Sequence, residues 1–238
     1  YNGVAIEVVE HFNYLGTVIS FNGNFLANQE YVVGKSLKAL NTLLANCSRI
    51  KLKPKILCEL IDSYVAQFQD SSEVLGVDMS DDIERIHLNS ANGLRMFVPT
   101  MTSGVYGELG RYPSFIARYV RIIKYWFKLL TTDNIILRTV YNQALNDCNH
   151  GQNNWVKKVK RILCENGFSH VFDNQGNTNY SIFINVLKQR VIDCFQQGWS
   201  GSVNESPNLT IYKEFKVSSF FFNSKTLFND GDPVSSQL

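Results

Sequence analysis

Residues 103–130, SGVYGELGRYPSFIARYVRIIKYWFKLL, constrain the fold more than any other part of the chain. Phe115, Ile116, Tyr119, Ile123, Trp126 and Leu130 recur at helical spacing, which puts them on one face of a helix. Arg118, Arg121, Lys124 and Lys128 fall on the other face, and no Asp or Glu occurs between Glu108 and Asp133. Pro113 suits the first turn, where its missing N–H costs nothing. Gly104, Gly107 and Gly110 are expected to break any helix before Arg111. The stretch therefore reads as a helix with an aromatic-rich apolar back and an uncompensated basic front. Such a front suits a polyanion. The alternative is a solvated basic face on an ordinary core helix.

Elsewhere the same spacing recurs. Val33, Leu37, Leu40 and Leu44 form a stripe with Lys35, Lys38 and Asn41 outside it. Pro54 opens a second helix whose stripe is Leu57, Leu60, Ile61, Tyr64, Val65 and Phe68. Ser80 is placed to cap a third, with Asp81, Asp82 and Glu84 in its first turn and Ile83, Ile86 and His87 facing inward. After the central helix, Thr132 or Asp133 caps another, carrying Ile136, Leu137, Val140, Tyr141, Ala144, Leu145 and Cys148. A short helix from Trp155 turns Val156, Val159, Ile162 and Leu163 inward and Lys157, Lys158, Lys160 and Arg161 outward, and Gly167 caps its end. Asn174 to Asn177 is a loop by composition, and Phe183, Val186, Leu187, Val191, Cys194 and Phe195 form a last helical stripe. Only residues 1–20, rich in Val, Ile, Phe and Tyr and punctuated by Gly3 and Gly16, read as strands: two, one per apolar run, paired. The fold class is mainly α, helical and bundle-like, with a small N-terminal β-element.

Charge and cysteine usage bound the partners. Lys and Arg total 23 against 21 Asp and Glu, so any basic surface must come from segregation and not from excess. Five scattered cysteines without a CxxC pair read as reduced, buried thiols of an intracellular protein, nuclear or cytoplasmic, and no apolar run is long enough to suggest a membrane partner. The chain opens at Tyr1 inside an apolar stretch, which reads as a piece of a longer polypeptide.

Candidate chemistry is sparse. Asp81-Asp82 has the look of a two-metal carboxylate pair, but a Ser80 cap and Ile83 and Ile86 at helical spacing read it as a helix start. Cys148, His150, Cys164 and His170 lack the tight pairing of structural zinc. GVYGELG is not a phosphate-binding glycine loop, and no small-molecule substrate is indicated. Aromatic residues interleave with the cations, with Tyr112 and Tyr125 as the exposed candidates for stacking.

HFNYLGTVIS, KALNTL, ELIDSYV, SSEVLG, ERIHL, GVYGELGRYP, RIIKYWFKLL, Asn154-Trp155, Gly167-Phe168, Gln189-Arg190 and YKEFK occur in one order along the chain. That series resembles the C-terminal part of reverse transcriptases of non-LTR (LINE-type) retrotransposons. Leu75 stands where the resemblance leads to Trp, and the NSANGL that follows ERIHL lacks the family's Cys and Lys. The resemblance implies that Tyr14, Leu15 and Gly16 set a primer terminus. It divides the chain into a palm-end β-element (1–25), thumb-like helices (26–100), a helical extension with basic faces (101–217) and a tail (218–238). The family's catalytic Asp-Asp hairpin precedes its YLG segment, and no Asp precedes Tyr14 here. The expectation is a piece without catalytic residues, inactive as a polymerase alone and holding no cofactor itself, Mg²⁺ belonging to the palm of a parent enzyme. Its partner would be the backbone of an RNA/DNA template-primer. From their charge, Arg118, Arg121, Lys124, Lys128, Lys157, Lys158, Lys160 and Arg161 would contact phosphates. A helical interaction domain with solvated basic faces, and the product of a decayed element, remain as alternatives.

Overall fold

The computed structural model describes residues 8–21, 25–47, 102–109, 112–175 and 179–209, with short runs between 50 and 88. The described part is mostly helical with one small antiparallel sheet.

Strands β1 (His11–Tyr14) and β2 (Thr17–Ser20) form a hairpin in which Tyr14 faces Thr17 and Phe12 faces Ile19. Leu15 and Gly16 between them both have positive φ, 47° and 86°. Two left-handed residues in a two-residue loop give the turn whose twist matches the strands. Gly16 adopts that conformation freely, whereas Leu15 adopts it at about 1–2 kcal/mol. The expectation of one strand per apolar run is thereby corrected. The second run folds back on itself at Leu15-Gly16, and of the first run only Val8 and Val9 are described, neither in a strand.

Helix α1 (Leu26–Cys47) follows. Its Leu40 is buried with Leu57, Ile61 and Ile86, flanked by Val33, Leu37 and Leu44, while Lys35, Lys38 and Asn41 are exposed. Leu60, expected inward, is exposed, and Tyr64, Val65, Phe68 and the Ser80-Asp81-Asp82 start lie outside the described residues. Val18 pairs with Asn13 at a site without a ladder bond, so its N–H points away from β1. The buried Asn28 of α1 accepts that N–H at 2.8 Å, seating the hairpin on the helix.

The larger core is built around α3 (Ser114–Thr131), with α2 (Thr102–Leu109), α4 (Ile135–Asn149), α5 (Trp155–Glu165), α6 (Ser169–Asp173) and α7 (Tyr180–Glu205) about it. Ile122, Ile123 and Trp126 of α3 are wholly buried against Val156, Val159, Ile162 and Leu163 of α5, Phe172 of α6 and Phe183, Leu187 and Val191 of α7. Trp126 Nε1 donates to Tyr141 Oη at 2.9 Å, and Tyr141 passes its own proton to Gln175 Oε1, also at 2.9 Å.

Several sequence expectations change here. Gly104 and Gly107 do not break a helix. They are buried within α2, and Tyr106 between them meets Phe195 of α7 edge to face. Asn134, not Thr132 or Asp133, caps α4: its Oδ1 accepts from the Ile136 and Leu137 N–H groups, and Thr132 Oγ1 accepts from Asn134 N. Ile136, Leu137 and Val140 are exposed, since only the Tyr141–Cys148 side of α4 meets the core. Val186 is likewise exposed. Helix α7 runs past Trp199 to Glu205, because Trp199 Nε1 donates to Ser103 O at 2.8 Å and Gln196 Nε2 to Tyr112 Oη at 2.9 Å.

Gly167 does cap α5. Its N–H bonds Cys164 O and the Phe168 N–H bonds Leu163 O, with Gly167 at φ 82°, the paired bonds of a Schellman end. Gly151 ends α4 in the same way, through Gly151 N to Cys148 O and Gln152 N to Asp147 O.

Candidate nucleic-acid interface

The predicted site residues separate into two groups. Tyr14, Leu15 and Gly16 are exposed at the tip of the hairpin, which rests on α1. The cations sit on α3 and α5 of the other core.

Helix α3 presents Arg121, Lys124 and Lys128 to solvent. Arg118, expected beside them, is buried. The apolar arc of α3 is wider than one stripe, because Val120, Ile122, Phe127 and Leu129 are buried as well. Position 118 falls within that arc and is lost to the exposed face. Tyr112 and Tyr125 are half-buried, not exposed platforms. Tyr112 packs edge to face on Phe195, and Tyr125 edge to face on Trp155 with centroids 5.7 Å apart.

That last contact fixes how α3 and α5 meet. Trp155 begins α5 beside Tyr125. Six residues earlier in α3, Tyr119 feels the charges of Arg161 and Glu165 near the end of α5. The two helices pack side by side there. Arg121 and Lys128 lie one turn before and one turn after Tyr125, and Lys124 adjoins it. Lys158, half-buried, lies one turn beyond Trp155, and exposed Arg161 follows one turn later. The Tyr125–Trp155 pair marks the seam between the two helices, with Arg121 and Lys128 within one turn of Tyr125 and Lys158 within one turn of Trp155.

The remaining cations of α5 turn away. Lys157 Nζ donates to Gly151 O at 3.3 Å, on the loop from α4, and Lys160 Nζ stands 5.5 Å from the Phe172 ring. The basic face expected of α5 is therefore split. Arg161 Nε also lies 3.8 Å from Glu165 Oε1, an exposed pair that contributes little to stability and leaves a carboxylate at one end of the seam.

Asn154 sets where α5 begins. Its Oδ1 accepts from Lys157 N at 3.1 Å, while its Nδ2 donates to Ala144 O of α4 at 2.6 Å. The side chain caps one helix and ties it to another, which fixes Trp155 against Tyr125.

No family model, curated protein or solved structure matches this chain. Among the described residues no helix is long and apolar enough to cross a membrane. No group of three or more His, Cys, Asp or Glu side chains among them is placed to hold a metal ion.

Two arrangements had no signal in the sequence. Tyr125 and Trp155 are 30 positions apart, and only the packing of α3 on α5 brings them together. Glu84 is helical, and its carboxylate accepts from Ser114 N at 2.9 Å and Ser114 Oγ at 2.7 Å, and from the Tyr106 hydroxyl. It serves the start of α3, which has no cap of its own.

Burial pushes the phenols of Tyr106, Tyr119 and Tyr141 above their ordinary value. The Glu84 charge adds to the effect at Tyr106. Glu165 adds to it at Tyr119, where Arg161 and Arg118 oppose it, and the bond from Trp126 opposes it at Tyr141. Each phenol therefore keeps its proton in the folded chain to a higher pH than in the unfolded one. Their contribution is complete below about pH 10 and is lost as pH rises above it. The urea midpoint should be level up to about pH 9.5 and then fall, each tyrosine adding at most about 1.4 kcal/mol per pH unit. A midpoint unchanged through pH 11, where exposed tyrosines ionise in the absorbance spectrum, would contradict the assignment.

Proposed function

We propose that this chain is part of a LINE-type reverse transcriptase and holds the template-primer duplex by its phosphate backbone, without carrying the polymerase chemistry. The observation that carries the proposal is that α3 keeps Arg121, Lys124 and Lys128 exposed with no carboxylate among them, and packs through Tyr125 on Trp155 of α5, which carries exposed Arg161. Cations that neutralise phosphates release condensed counterions, so recognition rests on charge and duplex shape, not on base identity. The ordered series of motifs supports the family, and the exposed Tyr14-Leu15-Gly16 tip would meet the primer end. One observation favours the interaction-domain reading: Ile135, Ile136 and Val140 of α4 form an exposed apolar run.

The test is salt dependence. The chain should bind RNA–DNA hybrids of unrelated sequence alike, with affinity falling steeply as salt rises. Replacing Arg121 and Lys124 by Gln leaves the apolar face intact, so folding should hold. The slope of log affinity against log salt should become shallower by roughly one to two units, about 0.7–0.9 per lost contact. Lys160→Gln, on the Phe172 side, should leave the slope unchanged. An unaltered slope in the double variant, or no binding by the folded chain at low salt, removes nucleic acid from the seam.

A further inference from the structure

The hairpin carries more apolar surface than it buries. Phe12 and Tyr14 project from the same face of β1, stacked 6.4 Å apart, and each is 57% exposed. Ile19, opposite Phe12, and Phe21 beyond it are exposed too. Val18 and Ser20, on the opposite face, are buried towards α1. A two-stranded hairpin is marginally stable alone, and a contiguous apolar patch of this kind marks an interaction surface.

The edge of β1 narrows what that surface accepts. The ladder to β2 uses Tyr14 and Phe12, so the N–H and C=O groups of His11 and Asn13 point away from β2. No described residue pairs with those backbone groups. Native edges are guarded by short strands, Lys, Pro or bulges. β1, HFNY, is short but carries no Lys, Pro or bulge. Outward backbone groups at every second residue match another extended backbone and nothing else as well. Charge narrows the occupant further, since Glu10 and His11 are the only Asp, Glu, Lys, Arg or His residues from 8 to 21.

We infer that β1 is an acceptor edge for a third strand: an uncharged, extended peptide segment with apolar side chains at alternate positions. Its backbone would pair with His11 and Asn13, and its apolar side chains would lie beside Phe12 and Tyr14. This surface is separate from the α3–α5 seam, and it shares only Tyr14 with the hairpin tip assigned above to the primer end.

The probe is a short capped peptide alternating Val and Thr, compared with the same peptide N-methylated at every second residue. Hydrogen exchange of the His11 and Asn13 amides should slow on adding the plain peptide, by roughly the ratio of its concentration to its Kd. The N-methylated peptide should produce no slowing. Asn13→Pro removes one outward donor without touching the β1–β2 ladder, so it should keep the thermal midpoint and lose the peptide effect at His11. If that variant fails to fold, the two peptides on the natural chain still decide the matter. No slowing with the plain peptide overturns the proposal, as does equal slowing by both. Protection that rises with protein concentration alone also overturns it, by assigning the edge to a second copy.

Discussion

Trp126→Ala should lower the stability of the chain by about 3–5 kcal/mol, the range for truncating a buried aromatic side chain. Trp126 is wholly buried at the centre of the larger core, with its ring stacked on Phe172 and tilted against Phe127. Truncation opens a cavity among residues of α3, α5, α6 and α7 at once, so no single helix can shift to fill it. It also removes the donor to Tyr141 Oη, leaving that buried oxygen with Gln175 alone. Trp126→Phe keeps much of the ring and loses the hydrogen bond together with part of the volume, so its cost should be smaller, about 1–3 kcal/mol. Denaturant titration of the three proteins gives both numbers. A Trp126→Ala variant as stable as the parent but deficient in nucleic-acid binding would make Trp126 a stacking platform and remove it from the core.

Helical periodicity made the centre of the fold legible before any coordinates. Phe115, Ile116, Ile123 and Trp126 share one face because 3.6 residues make a turn, and that rule needs no knowledge of neighbours. Gly167 was legible for a similar reason, as glycine after an amphipathic run ends a helix through φ > 0. The rule does not say how wide the buried arc is. Once α5 and α7 both pack on α3, the arc extends over Arg118, and a cation assigned to solvent becomes buried. The reverse holds on α4, where Ile136 and Val140 follow the apolar stripe but no described element covers them. Glycine propensity misled at Gly104 and Gly107, because a penalty of about 1 kcal/mol per residue is small beside the packing of Tyr106 and Trp199 between α2 and α7. The seam was only half legible. Each row of cations stood in the sequence, but the packing of their two helices rests on Tyr125 meeting Trp155.

Glu84 illustrates the same limit, and it carries the second large effect. Its carboxylate takes three donors from distant parts of the chain: the Tyr106 hydroxyl, the Ser114 hydroxyl and the first backbone N–H of α3. The first turn of a helix leaves N–H groups without intrahelical partners and carries partial positive charge, so an anion there is doubly favoured. Two residues on, Ile86 is buried with Leu40, Leu57 and Ile61 in the smaller core. One short segment thus joins the smaller core to the start of the helix at the centre of the larger one. Glu84→Ala strands a buried phenol and an orphan N–H, and should cost at least about 2 kcal/mol, since bonds to a charged group contribute about 1.5–3 kcal/mol each. Glu84→Gln keeps the shape and one acceptor oxygen, so its loss should be smaller. Amide exchange should quicken first at residues 114–117, ahead of the middle of α3. Pairing Glu84→Ala with Ser114→Ala should show a coupling of about 0.5–3 kcal/mol, the range for residues in one hydrogen-bond network. Strict additivity of the two, with exchange at 114–117 unchanged, would mean that Glu84 neither caps α3 nor ties the two cores together.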